Sequence, residues 1–150
     1  MPLPDLTVGL VVRYEYLWHR SSRAADTADK DHPACVVATY RQQGRPEDFV
    51  IYLPISHAQP HGDEEGIELP DDVKAKIGLD SARQWVMLSE CNVDAWPFDL
   101  RQLPGRPGQF HYGHFPPGMF KLVRDAFMER YQSKRVRQVG RAGPEAPASS

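Results

Sequence analysis

Apolar residues in this chain fall into short runs, broken by polar stretches rich in proline and glycine. Val8–Tyr16 reads Val-Gly-Leu-Val-Val-Arg-Tyr-Glu-Tyr, β-branched and aromatic, and predicts a first strand. Residues 17–31 turn polar and predict a long surface loop of the kind that often carries function. Pro33–Tyr40 predicts a second strand, and Arg41–Glu47, with Gly44 and Pro46, a turn. Phe49–Pro54 is nearly all apolar and predicts a third strand covered on both faces. After an acidic loop, Ile67–Leu69 predicts a short strand. Pro70–Leu79 predicts a two-turn helix, with Pro70 at its start and Gly78 at its end.

Gln84–Glu90 predicts a further strand, continued by Val93–Phe98 after an irregularity near Asn92. A Pro/Gly-rich loop spans residues 99–109, and Phe110–Phe115 predicts another strand. Pro116-Pro117 opens a helix to about Gln132, whose Phe120, Val123, Phe127 and Tyr131 recur at helical spacing. From Ser133 the pattern is lost, predicting a structured domain over 1–132 and a disordered, basic tail over 133–150. Five to six short strands, a short internal helix and a C-terminal helix predict a mainly β fold (β with α) curled into a small barrel.

Composition narrows this picture. With 150 residues there is room for one domain, and 41% hydrophobic residues are enough for a core. Fourteen prolines argue against a long-helix bundle. A net charge of −2 disfavours a generic charge-driven nucleic-acid binder. That figure averages unlike parts: residues 121–150 hold seven Lys and Arg against three Asp and Glu. Any phosphate-contacting surface is therefore local, either this tail or the loop bearing Arg20 and Arg23.

No stretch approaches the roughly 20 apolar residues of a membrane helix, and Met1–Asp5 lacks the features of a signal peptide. Cys35 and Cys91 sit in apolar runs without CxxC spacing, which predicts buried thiols in a reducing cytoplasm, with a disulfide or metal pair as the alternative. His57 and His61 are separated by Pro60, and His111 and His114 would point to opposite faces of a strand. No metal site or cofactor is therefore expected. Trp85, Trp96, Phe98 and Tyr112 are core candidates. Asp71 and Asp72 suit a helix start, and Asp63-Glu64-Glu65 a solvated loop tip.

Several segments, in order, resemble the MazF/PemK-like toxin family. They are Gly9-Leu-Val-Val-Arg-Tyr14, His32-Pro-Ala-Cys-Val-Val37, Val50-Ile-Tyr-Leu-Pro-Ile-Ser56, the strand region Trp85–Trp96, and Phe115-Pro-Pro117 with the helix after it. The resemblance covers residues 8–131. It implies an SH3-like barrel that dimerises, cleaves single-stranded RNA without a metal in a toxin–antitoxin system, and is restrained by a small antitoxin protein. His32 stands where the family has arginine and Ser56 where it has threonine, so both catalytic positions are altered.

Metal-free RNA cleavage needs a base for the 2′-hydroxyl, an acid for the leaving 5′-oxygen and a donor for the phosphate oxygens. Histidine suits the first two and arginine the third. Counting outward from a turn near Gly44, His32 and His57 lie at the same end of a hairpin. His32, Ser56 and His57 are thus the catalytic candidates, and Arg20, Arg23 and the base-stacking candidate Trp18 the substrate-binding ones. The bland readings are a strand-start histidine and a serine bonding its own turn. On those readings the chain is a non-catalytic dimeric binding module of the same fold.

Overall fold

The computed structural model describes residues 3–18 and 31–140. Within them the β-branched and aromatic runs form eight strands: β1 Leu10–Glu15, β2 Asp31–Arg41, β3 Asp48–Ser56, β4 Gly66–Glu68, β5 Trp85–Met87, β6 Glu90–Ala95, β7 His111–His114 and β8 Arg137–Gly140. Two helices are interleaved, α1 Asp71–Ile77 and α2 Pro117–Gln132. The protein is mainly β, as its pattern of apolar runs predicts. Among the described residues, no helix is long and apolar enough to cross a membrane.

One sheet runs in the order β4-β5-β3-β2-β1-β7, with β6 also on β3 and β8 on β6. Every ladder is antiparallel except β6–β8, which is parallel. β5 and β6 are one interrupted strand alongside β3: β5 pairs with Ile55 and Ser56, and β6 with Phe49 to Tyr52. The predicted irregularity lies at Leu88-Ser89, before β6, and Asn92 sits inside the ladder opposite Tyr52.

Alternation along these strands feeds two cores, one on each face of the sheet. Val11, Cys35, Leu53, Ile55 and Val86 point to one face, where Val73 and Ile77 of α1 and Val123 and Phe127 of α2 cover them. Leu10, Val12, Tyr14, Ala34, Val36, Val50 and Tyr52 point to the other. α1 is bounded as expected. Pro70 precedes it, Asp71 and Asp72 occupy its first turn, and Gly78 ends it with φ +80°. In α2, Val123 and Phe127 are buried and Phe120 is half-buried, while Tyr131 is exposed with its ring 5.7 Å from that of Phe127.

Several local expectations need correction. The tail expected from Ser133 begins instead with structure: Arg137–Gly140 pairs with the outer edge of β6, and Val136 packs on the helix-covered core. β6 has β3 on one side only, so its other edge offers unpaired backbone groups that a strand can satisfy. Phe98, expected in the core, is exposed because it lies in the turn of residues 96–99 that follows β6. Glu65 is not simply solvated: it pairs with Arg130 of α2 at 2.6 Å. The thiols of Cys35 and Cys91 are free and buried, as expected. Burial raises both pKa values, that of Cys91 to about 12.

Candidate functional site

The end of the β2–β3 hairpin is set by one extra residue. Near the turn, Arg41 pairs with Asp48 and Ala38 with Ile51. Continued without change, that register would put His32 opposite His57. The ladder shifts between Val36 and Ala38, so that Val36 pairs with Tyr52 and Ala34 with Pro54. Val37 is the inserted residue of a β-bulge, and both Val37 and Ala38 turn toward the helix-covered core. The shifted register, which runs as far as Ala34 opposite Pro54, lines His32 up toward Ser56 rather than His57.

A one-residue slip exchanges faces as well as partners. His32 pairs directly with Tyr14 on β1, so its side chain shares the face of Tyr14, Ala34 and Tyr52. Ser56 alternates onto that same face from Tyr52 and Pro54. The structure therefore brings His32 and Ser56 to one face at one end of the sheet, and turns His57 away. His57 is exposed, and its Nε2 lies 3.1 and 3.2 Å from the two carboxylate oxygens of Asp80, in the segment between α1 and β5. That segment leads into β5, which pairs with β3 on the side opposite β2.

Ser56 is buried, and its Oγ accepts the backbone N–H of Ala58 at 2.9 Å. This is the turn bond expected of a serine at a strand end. His32 is half-buried, with its ring edge-on to Trp18 at 5.5 Å between centroids. Trp18 is itself only 7% exposed, and packs edge-on to Tyr16 at 4.9 Å. In this structure the ring packs as a core aromatic beside His32. Arg20 and Arg23 lie outside the described residues.

Behind His32 the aromatic series continues inward. Tyr16 meets Tyr14 edge-on, and Tyr14 stacks on Tyr52 at 4.0 Å. The Tyr14 hydroxyl donates to Asp94 Oδ2 at 2.9 Å, and the Ala95 N–H donates to Asp94 Oδ1 at 2.9 Å. Asp94 is buried and hydrogen-bonds to Asp99, which adopts φ +65°. Burial first, then the hydrogen bond with Asp99, raises the Asp94 pKa to about 7. Burial and both carboxyls push the Tyr52 hydroxyl well up. Nothing in the local sequence marks this cluster, because Tyr14 and Asp94 are 80 residues apart.

Two side chains missed by sequence reasoning hold the neighbours of these candidates. Asp80 accepts from the Ala82 N–H and from Gln84 Nε2, and so is fixed where His57 meets it. Asn92, on β6, hydrogen-bonds to both backbone groups of Leu17. Among the described residues, no group of three or more His, Cys, Asp or Glu is placed to hold a metal ion. Comparisons with protein-family models, with curated proteins and with solved structures find no match.

Proposed function

We propose that this chain is a divergent MazF/PemK-like endoribonuclease that cleaves single-stranded RNA at the strand end shared by His32 and Ser56. The observation carrying this reading is the bulge-set register, which puts both altered family positions on one face. In the proposed reaction, His32 takes the proton of the 2′-hydroxyl as its oxygen attacks the adjacent phosphorus. The P–O5′ bond breaks, and the imidazolium returns its proton to the leaving 5′-oxygen. The products are a 2′,3′-cyclic phosphate and a 5′-hydroxyl, and no oxidant or cofactor enters the balance. Ser56 would turn its hydroxyl toward a phosphate oxygen when RNA binds, and Arg20 and Arg23 are the proposed cations. An SH3-like closed barrel, a homodimer, a small antitoxin partner and a cytoplasmic location belong to the same reading.

A non-catalytic binding module is the second reading. It is favoured by the burial of Ser56 and the commitment of its Oγ to Ala58. One assay separates the two. Purified protein is incubated with mixed single-stranded RNAs in EDTA, and 2′,3′-cyclic phosphate ends are counted. The nuclease reading expects cleavage that falls about 100-fold or more in His32→Ala, the range for a general base. RNA that is bound by the wild type but left intact overturns it in favour of the binding module.

A further inference from the structure

β1 ends at Glu15, where the Tyr16 N–H turns back to the Tyr14 carbonyl at 2.9 Å. Leu17 is 43% exposed, so its side chain does little to anchor this segment. Its backbone is held instead by the amide of Asn92. The Leu17 N–H donates to Asn92 Oδ1 at 2.8 Å, and Asn92 Nδ2 donates to the Leu17 carbonyl at 3.0 Å. Asn92 is fully buried on β6, 75 residues away, and its Nδ2 also reaches the Val139 carbonyl of β8 at 3.4 Å. An amide that takes both the N–H and the C=O of one residue acts as a single rung of sheet. The residue next to that rung is Trp18, whose ring stands edge-on to His32.

We infer that Asn92 is a positioning residue: its amide clamps Leu17, which fixes Trp18 and thereby the ring of His32. This rests on the proposed role of His32, although the contact itself stands without it. Removing the clamp leaves β1, β2 and the helix-covered core in place and frees the backbone that carries Trp18. His32 then samples several ring orientations, and a base in the wrong orientation lowers turnover more than substrate binding.

The test uses the full-length protein labelled with 5-fluorotryptophan. The ¹⁹F resonance of Trp18 is assigned by its loss in Trp18→Phe. That resonance should shift between the wild type and His32→Gln, because the imidazole ring stands edge-on to the indole. Asn92→Ala should lose at least half of the shift while keeping a cooperative melt. Asn92→Asp retains an acceptor for Leu17 but no donor, and should fall between. In the cleavage assay, Asn92→Ala should lower kcat about tenfold with KM within twofold. A full His32-dependent shift in the Asn92→Ala background, or none between the wild type and His32→Gln, overturns the inference. So does loss of the cooperative melt in both Asn92 variants, because Asn92 would then hold the fold rather than the ring. A wild type that shows the shift but no cleavage overturns the proposed nuclease function and leaves the positioning role standing.

Discussion

An exposed histidine held by an exposed carboxylate adds little stability, since solvent screens the pair and two side chains lose freedom to make it. His57 and Asp80 are such a pair, and both groups are more than half exposed. Asp80 would be oriented without His57, because the Ala82 N–H and Gln84 Nε2 already hold it. His57→Ala should therefore leave thermal stability almost unchanged and keep RNA cleavage within about threefold of wild type, far from the loss expected for His32→Ala. Side-by-side cleavage rates check this, and a His57→Ala loss as large as that of His32→Ala would return His57 to the catalytic set. Sequence spacing alone makes the two histidines equivalent. The bulge at Val37 separates them.

At the scale of elements, β8 is the addition that changes the molecule most. It is short, lies parallel to β6, and follows a turn in which the Arg135 N–H returns to the Arg130 carbonyl. Val136 is half-buried against the helix-covered core, and Arg130 Nη2 donates to the Arg135 carbonyl. Truncation after Gln132 removes these contacts and bares the outer edge of β6. Partial burial of one valine and a few backbone bonds together suggest a loss of about 1–2 kcal/mol. A free edge also invites pairing between copies. Urea denaturation should show the loss, and light scattering should show association that grows with concentration. An unchanged midpoint in the truncated protein would mean that β8 contributes nothing to the fold.

For the whole molecule, the buried Asp94 and its half-buried partner Asp99 tie stability to pH. Asp94, on β6, reaches across the sheet to Tyr14 of β1, and Asp99 accepts the Glu15 N–H through its carbonyl. The pair thus joins the 96–110 loop to the sheet. The Asp94 pKa is raised, to about 7, so the folded chain holds a proton that the unfolded chain releases near pH 4. This contribution is fully present below pH 4 and is lost as pH rises through about 7. Its slope is at most about 1.4 kcal/mol per pH unit. Asp94→Asn keeps an acceptor for Tyr14 and a donor for Asp99 without the ionisation. Chemical denaturation across pH 4–8 should therefore show a shallower fall for the variant than for wild type. Parallel curves would remove Asp94 as the source.

Local chemistry in the sequence was enough to locate most elements. β-branched and aromatic runs need an extended backbone, Pro70 and Gly78 bound a helix wherever they stand, and the spacing of Val123 and Phe127 commits them to one helix face. These preferences act over a few residues and are readable there. The candidate His32 and Ser56 were also legible, through the hairpin and the family resemblance. Their shared face, the departure of His57 and the cover over Trp18 were not. Those follow from one inserted residue in β2, and from bonds such as Asn92 to Leu17 and Tyr14 to Asp94 across 75 and 80 residues. Strand register and long-range pairing are decided by how two faces of a sheet fill their cores together, and no window along the chain contains both partners.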